Sequence, residues 1–194
     1  MNAEQEKWDR IYQNTAQELR PEASYVLSAY DYLLPAQGQA IELACGIGGN
    51  ALFLAKRGLK TRAWDWSAVA VRRLNQIARE EGLNLRAEMH DLDDVDLPQD
   101  FDVIVVTRFL ERGLCASLAK ALLPGGLLYF QTFVRDKDPA IGPRNPDYLL
   151  GQNELLKLFP GLVLRAYCEA GRIGDLSRGL RNEAYLVAQK PESS

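Results

Sequence analysis

The feature that most constrains this chain is a glycine-rich turn between an apolar run and a short helical segment. The run 39–44 predicts a buried strand, and the segment 51–57, which a glycine follows, predicts a helix. Between them, Gly46, Gly48 and Gly49 permit positive φ angles and leave the backbone open to a ligand. The start of the helix offers free N–H groups and a positive dipole end to an anionic group. Strand, glycine turn and helix in this order predict the opening of a nucleotide-binding α/β sheet.

The composition is that of an ordinary globular protein, with 47% apolar and 25% charged residues in a chain of 194. A net charge of −3 gives no general attraction to nucleic acid or to an anionic membrane. No apolar run approaches the roughly 20 residues of a membrane span. The acidic N-terminal segment is unlike a secretory signal, and three scattered cysteines fit a reducing compartment. We therefore expect a cytoplasmic monomer or homodimer that binds no nucleic acid, no membrane and no metal.

The apolar pattern along the rest of the chain predicts strands that alternate with helices. The run 101–106 is almost entirely apolar, as expected of a strand covered on both faces of a parallel sheet. The last two strands follow each other without a helix, which predicts an antiparallel hairpin. The sequence therefore predicts one α/β domain, 1–194, with a Rossmann-like, seven-stranded, mostly parallel sheet and helices on both faces. The predicted strands are 39–44, 59–64, 84–89, 101–106, 127–133, 163–169 and 183–189, and the predicted helices are 3–12, 22–34, 51–57, 68–81, 110–123 and 152–159.

Two classes of ligand use such a glycine turn, and the acidic residue after the second strand does not distinguish them. Gly46, Gly48 and Ala51 fit the degenerate dinucleotide fingerprint. Asp65 follows Gly48 by seventeen residues, where a carboxylate can accept hydrogen bonds from ribose hydroxyls. Both NAD and S-adenosylmethionine carry that ribose, so an NAD(P)-dependent oxidoreductase is an alternative interpretation.

Several strings of the sequence carry a resemblance to one family. The segment Glu42–Asn50 resembles the first motif of class I S-adenosylmethionine-dependent methyltransferases. About 40 residues precede this strand, which is usual in small-molecule methyltransferases, where an N-terminal helix covers the cofactor. The resemblance covers residues 8 to 188 and is to the tellurite-resistance branch, with an N-terminal segment that is also similar to thiopurine methyltransferase relatives. It is carried by Trp8–Tyr12, Arg108–Leu110, Leu123–Tyr129, Gln131–Phe133, Gly142–Pro146 and Tyr148–Leu150.

The resemblance implies S-adenosylmethionine as the cofactor and a set of residues that hold it. The glycine turn would hold the methionine end, Asp65 the ribose, and Asp91 the adenine amino group, with Leu92 packed on the ring. His90 is the only histidine, and we interpret it as structural or cofactor-flanking rather than as a base. The predicted cofactor-binding residues are Trp8, Tyr12, Glu42, Leu43, Ala44, Cys45, Gly46, Gly48, Gly49, Asn50, Asp65, Trp66, Ser67, His90, Asp91, Leu92, Thr107, Arg108 and Phe109.

The acceptor of the methyl group is expected to be a small and anionic molecule. Arg108, Arg112, Arg135 and Arg144 follow the fourth and fifth strands, and planar, permanently charged donors suit an oxyanion or a carboxylate. The alternative is that these arginines lie on the surface, paired with neighbouring acidic residues. No catalytic role is assigned; the candidates are Arg108, Arg144 and Tyr12.

Two segments are expected to cover the site. Residues 1–36 are predicted to form an N-terminal helical cover, and 134–151 a lid loop, because three X-Pro pairs interrupt this stretch and disfavour a helix. Besides the oxidoreductase, a non-catalytic regulatory protein that binds the cofactor is the second alternative to a methyltransferase.

Overall fold

The computed structural model of the protein describes residues 3–14, 21–92 and 95–192. Seven strands form one sheet: β1 (Gln39–Leu43), β2 (Lys60–Asp65), β3 (Leu85–Met89), β4 (Phe101–Thr107), β5 (Leu122–Phe133), β6 (Val163–Cys168) and β7 (Glu183–Gln189). The α-helices of these ranges are α1 (Ala3–Asn14), α2 (Tyr25–Ala29), α3 (Gly49–Lys56), α4 (Ala68–Glu80), α5 (Cys115–Ala121) and α6 (Glu154–Leu158). No helix within the described ranges has the length and apolarity to cross a membrane.

The strand order is β3-β2-β1-β4-β5-β7-β6. The strands β1 to β5 are parallel, whereas β7 runs antiparallel to both β5 and β6. This arrangement confirms the predicted fold class. After β1 the chain adds β2 and β3 on one side of that strand, and β4 then pairs with the other side of β1. The carboxyl ends of β1 and β4 therefore flank a topological switch point, which is where ligands bind in open α/β sheets.

Apolar side chains cover both faces of the sheet. Ile104 and Phe130 belong to the layer that packs against α5, while Val105 and Tyr129 belong to the layer that packs against α2 and α3. Consecutive residues of β4 thus enter opposite layers, and every residue from 103 to 106 is fully buried. The all-apolar sequence of this strand is explained by burial on both faces.

The predicted helix 22–34 is wrong in length. The α-helix covers Tyr25–Ala29 alone, and a 3-10 turn, Asp31–Leu33, follows. The Tyr30 carbonyl accepts a hydrogen bond of 2.9 Å from the Tyr129 hydroxyl and, within the 3-10 turn, one of 3.1 Å from the Leu33 N–H. The backbone of Tyr30 leaves the helical region at the same point, with φ −120° and ψ 27°. The α-helix therefore ends where a side chain of the sheet contacts its backbone, although the apolar periodicity continues to residue 34.

The predicted helix 110–123 is also too long. A 3-10 turn covers Arg112–Leu114 before α5 begins, and the Glu111 side chain accepts a 3.0 Å bond from the Gly113 N–H. A capping side chain and an interior glycine both weigh against a continuous helix. At the other end β5 starts at Leu122, five residues before the predicted start, because Leu122 pairs with Phe101 ahead of an irregularity in the register that ends at Leu127.

Arg112 connects the start of α5 with the chain that follows β5. Its guanidinium donates to Glu154 at 2.6 and 3.1 Å and to the carbonyl oxygens of Asp147 and Leu149 at 2.6 and 3.1 Å. The hydrogen bonds from Arg112 lower the pKa of Glu154. Arg112 therefore pairs with an acidic residue, as in the alternative that named Glu111, Asp136 and Asp138 as partners, but the partner is Glu154, 42 residues away.

We predict that Arg112→Lys lowers the free energy of unfolding by about 1–2 kcal/mol, because lysine cannot form the two-pronged contact. The side chains of Arg112 and Glu154 are 35% and 25% exposed, so screening by solvent keeps the effect modest. Urea denaturation measures it. The control is Arg86→Lys in the surface pair with Glu88, where Arg86 is 79% exposed and little change is expected. Equal losses in both variants would contradict the role of Arg112.

Candidate cofactor and acceptor site

The glycine turn leaves β1 at the switch point and runs into α3. Gly46 and Gly48 have φ angles of 51° and 81°, in the left-handed region that favours glycine. The Gly48 N–H closes the turn on the Cys45 carbonyl at 2.8 Å. A Cβ atom on Gly46 would lie 2.8 Å from the Tyr12 hydroxyl, so that hydroxyl lies directly over the turn.

Glu42 lies inside β1 and fixes the start of α3. Its carboxylate accepts from the Asn50 side-chain amide at 2.7 Å and from the Ala51 N–H at 2.8 Å. Burial raises the pKa of Glu42 to about 8, although the bonds from Asn50 and Ala51 oppose the shift. The predicted cofactor residue Glu42 thus also holds the turn in shape.

Asn50 joins three parts of the site. Its amide nitrogen also donates to Thr107 Oγ1 at 3.1 Å, and its oxygen accepts from the Ser24 N–H at 2.7 Å. The side chain is 4% exposed. Because the amide uses donors and acceptor together, it connects β1, the end of β4 and the chain that leads into α2.

Asp65 ends β2 beside the glycine turn. Its two oxygens accept from the Gly46 N–H at 2.7 Å and the Ser67 N–H at 2.8 Å. Burial raises the pKa of Asp65, and these backbone bonds act in the opposite direction. Each carboxylate oxygen has a further lone pair, which can accept from a ribose hydroxyl.

The helix α1 lies over this edge of the sheet and is held by a polar contact. Asp9 accepts from the Ser67 hydroxyl and, at 3.2 Å, from the Val69 N–H at the start of α4. A carboxylate at a helix N-terminus is favourable because it faces free N–H groups. Trp8 and Tyr12 stack with ring centroids 6.0 Å apart. Asp9 therefore positions both predicted aromatic residues, although the sequence analysis assigned it no role.

The residues after β3 approach the second strand. The His90 ring stacks on the Trp64 ring at 3.9 Å, and the His90 N–H donates to the Asp65 carbonyl at 3.0 Å. Leu92 is buried and Asp91 is exposed. The stacked geometry agrees with a structural or cofactor-flanking His90. The indole of Trp64 was missed because its position in the strand resembles that of a core residue.

The loop after β4 carries the predicted residues Thr107, Arg108 and Phe109. Arg108 has a positive φ of 55°, which is unusual for a residue other than glycine. Its N–H donates to the Gln131 carbonyl at 2.8 Å, and its Nε donates to Glu183 at 3.1 Å. Phe109 packs against the core layer below α5. The buried partner Glu183 was missed, because it lies 75 residues from Arg108.

The predicted lid 134–151 forms a loop whose ends meet. Val134 and Leu150 form an isolated bridge, and the Arg135 N–H donates to the Leu150 carbonyl at 2.9 Å. Gly142 in the middle of the loop lies against the Phe133 ring. The loop therefore folds back over its own base, in the manner of an Ω-loop.

A cavity of about 600 Å³ lies within this loop. Three cationic side chains line it, those of Arg135, Lys137 and Arg144, together with Asp138. Lys137 is 8% exposed, and among the described residues its ammonium donates only to the Asp138 carbonyl at 3.3 Å. Two of these cations, Arg135 and Arg144, are predicted from the sequence, whereas no pattern in the sequence indicates the buried lysine.

Most of the predicted residues therefore meet at one edge of the sheet, whereas Arg112 does not. The turn residues, Asp65, the α1 aromatic residues and the loop after β4 surround the carboxyl ends of β1, β2 and β4. Part of the predicted cover, residues 1, 2 and 15–20, lies outside the described residues. So do the two aspartates at 93 and 94.

Comparison with known proteins agrees with this geometry. A family model described as tellurite resistance protein TehB matches residues 6–126. The chain belongs to the TehB family. It is similar to a probable S-adenosyl-L-methionine-dependent methyltransferase TehB of Haemophilus influenzae (strain 10810), with 29% identity over 85 residues, which are 42% of this chain and 30% of that protein.

Two other relatives bear on the assignment. A hemagglutinin 1 of Eikenella corrodens is 33% identical over 141 residues, which cover 68% of this chain and 46% of that protein. The crystal structure of TehB from Haemophilus influenzae has the same fold, with a TM-score of 0.70 at 20% identity over 96% of this chain and 66% of that one. The matches thus span less than half of the length of the two sequence relatives.

Membership of the TehB family confirms the predicted family, the tellurite-resistance branch of the class I methyltransferases. The Haemophilus influenzae relative is described as a probable S-adenosyl-L-methionine-dependent methyltransferase, which supports S-adenosylmethionine as the cofactor. The NAD(P)-dependent oxidoreductase is set aside. The assignments of single residues to the cofactor remain predictions, which variants can test.

We predict that Asp65→Ala weakens binding of S-adenosylhomocysteine by about 1–3 kcal/mol, since ribose hydroxyls lose an acceptor in a buried site. Isothermal titration calorimetry measures the change. Glu192→Ala is the control, because this exposed carboxylate lies near Gly125 at the other end of the sheet. Unchanged affinity in Asp65→Ala would show that another group holds the ribose.

We predict that ionisation of Glu42 lowers the stability of the ligand-free protein as the pH rises. Its pKa is about 8 in the folded chain, above the ordinary 4.5, so the folded state holds a proton that the unfolded state has released. The free energy of unfolding should therefore fall between about pH 4.5 and pH 8, by on the order of 2–4 kcal/mol.

Glu42→Gln cannot ionise, and its stability should follow pH less steeply over this range. Melting temperatures of both proteins from pH 5 to pH 9 provide the measurement, with Glu192→Gln as a control that keeps the wild-type slope. Parallel profiles for wild type and Glu42→Gln would contradict the assignment.

Proposed function

We propose that this chain transfers the methyl group of S-adenosylmethionine to a small anionic acceptor that binds between the lid loop and the loop after β4. The observation that carries the proposal is the cationic cavity of the lid, with Arg135, Lys137 and Arg144 on its walls. The loop that forms the cavity follows β5, which is separated from β1 and its glycine turn by β4 alone.

The residues around the glycine turn fit the cofactor. The turn has no side chain at Gly46 that would block an approaching ligand, and Asp65 has lone pairs for the ribose. The partly exposed His90 ring, which stacks on the buried Trp64 ring, lies after β3, near the place where the resemblance puts adenine. When bound, S-adenosylmethionine supplies a methyl group on a sulfonium that is an excellent leaving group.

The charge balance of the lid cavity favours an anion. A buried ammonium is costly unless an anion or several hydrogen bonds compensate it, and Lys137 has one carbonyl partner among the described residues. The carboxylate of Asp138 accepts from the Ala140 N–H at 2.9 Å and lies 4.0 Å from Arg172, so it is already engaged. Arg144 extends an exposed guanidinium into the same cavity. An oxyanion or carboxylate would supply the missing negative charge.

An ionised acceptor also fits the chemistry of the residues near the turn. Burial raises the pKa of Tyr12 above its ordinary value, so its phenol stays protonated and can donate a hydrogen bond but not accept a proton. An anion attacks with its own lone pair and needs no base. The protein then has to hold the acceptor in line with the methyl group and exclude water.

The name of the family suggests which acceptor to test first. Its model is described as a tellurite resistance protein, and tellurite is a small oxyanion. We propose tellurite as the first member of an acceptor panel, with selenite and small carboxylates and thiols beside it. Neutral and cationic molecules of the same size complete the panel.

We predict that Arg144→Ala and Lys137→Met each raise the KM for an anionic acceptor roughly tenfold or more, as expected for the loss of a charge-assisted hydrogen bond. Formation of S-adenosylhomocysteine measures turnover. The affinity for S-adenosylhomocysteine should stay within twofold. Arg178→Ala is the control, since this exposed arginine is not part of the cavity.

Equal turnover of neutral and anionic acceptors, or an unchanged KM in both variants, would contradict an anionic acceptor. Tight cofactor binding with no turnover across the panel would instead favour a non-catalytic protein.

A further inference from the structure

A buried carboxylate, Glu183, lies at the start of β7 and is not explained by the cofactor site. Its side chain is 6% exposed. One oxygen accepts from Arg108 Nε at 3.1 Å, and the other accepts from the Gln131 amide nitrogen at 2.5 Å. A buried charge is tolerated when it is paired in this way. Both partners lie at the carboxyl ends of neighbouring parallel strands, β4 and β5.

Arg108 presents most of its guanidinium to solvent. The side chain is 68% exposed, and its Nε–H is the donor that contacts Glu183. A guanidinium has five N–H donors in a rigid plane, so the other four remain for a ligand. The backbone of Arg108 is fixed by its bond to the Gln131 carbonyl and has a positive φ of 55°.

Gln131 connects Glu183 to the N-terminal cover by hydrogen bonds. The oxygen of the Gln131 amide accepts from the Val26 N–H in α2 at 2.9 Å. The order of donors is therefore fixed: Val26 donates to Gln131, Gln131 to Glu183, and Arg108 to Glu183. Because each group has one role, a change at Glu183 alters the direction in which the Arg108 guanidinium points.

We propose that Glu183 is a positioning residue that aims the Arg108 guanidinium at the anionic acceptor, with Gln131 holding the carboxylate in place. Arg108 touches the acceptor and Glu183 acts through it. The inference rests on the proposed function, in which the acceptor is an anion, and it adds a cationic contact from the loop after β4 to those of the lid.

A double-mutant cycle tests the inference. The measured quantity is kcat/KM with the preferred anionic acceptor for wild type, Glu183→Gln, Arg108→Ala and the double variant. Glu183→Gln should reduce kcat/KM about tenfold in the wild-type background, mainly through KM, and less than twofold when Arg108 is already alanine. The affinity of Glu183→Gln for S-adenosylhomocysteine should equal that of wild type. Equal reductions in both backgrounds would overturn the inference, since Glu183 would then act independently of Arg108.

Exchanging the side chains of Gln131 and Glu183 separates the effect of the negative charge from the effect of the hydrogen bonds. In Gln131→Glu combined with Glu183→Gln, the amide at 183 can accept from Arg108 and donate to the new carboxylate, which can also accept from Val26. Every hydrogen bond is then kept, but the negative charge no longer touches Arg108. Stability should return to near the wild-type value, whereas the KM for the acceptor should remain raised. Recovery of both would show that Glu183 is merely structural. Glu169→Gln, which changes a carboxylate bonded to Tyr167 and Asn153, is the matched control.

A measurement without turnover keeps the test independent of the proposed function. The Arg108 Nε–H resonance, assigned by its absence in Arg108→Ala, is followed by NMR with S-adenosylhomocysteine and increasing selenite. We expect a saturable shift in wild type that is lost in Glu183→Gln. A wild type that is inactive on every anion yet shows this shift would contradict the proposed methyl transfer alone. Absence of the shift in wild type would overturn the role of Arg108 and Glu183.

Discussion

The arrangement of the site depends on one buried interaction, the carboxylate of Glu42 with Asn50 and the Ala51 N–H. It joins the last part of β1 to the first turn of α3, so the glycine turn between them has fixed ends. Through Asn50 the same contact reaches Thr107 on β4 and the Ser24 N–H before α2. Burial of this carboxyl group disfavours its charged form and raises its pKa to about 8. A cation bound nearby would offset that effect, which is consistent with a cofactor that carries positive charge.

Four arginines that look alike in the sequence have different surroundings in the fold. Arg112 is committed to Glu154 and two carbonyl groups, so it stabilises the base of the lid. Arg108 uses one donor on a buried carboxylate and keeps the others exposed. Arg135 and Arg144 line a cavity that also contains a buried lysine. The partner of each guanidinium, rather than its position after a strand, decides whether it can bind a ligand.

The two helices of the N-terminal cover are attached to the sheet in different ways. α1 is held mainly by polar contacts, because Asp9 binds the start of α4, whereas Trp8 and Ile11 remain 40% and 43% exposed. α2 buries Val26 and Leu27 completely in the core, and the Val26 N–H also donates to Gln131. Few buried apolar contacts are a feature of segments that open at low free-energy cost. Opening of α1 alone would therefore suit a site that must admit and release a cofactor, while α2 holds Gln131 in place.

Local patterns in the sequence are sufficient to predict the sheet and the glycine turn. The apolar run of β4, the glycine turn, and Ser67, whose hydroxyl accepts from the Ala70 N–H at the start of α4, are all signalled by neighbouring residues. Only the tertiary structure decided which polar groups meet. Glu183 reaches Arg108 across 75 residues, and Glu154 reaches Arg112 across 42. The Tyr129 hydroxyl ends α2 from 99 residues away. No periodicity encodes such contacts, since they arise from strand order and from the requirement that buried polar groups find partners.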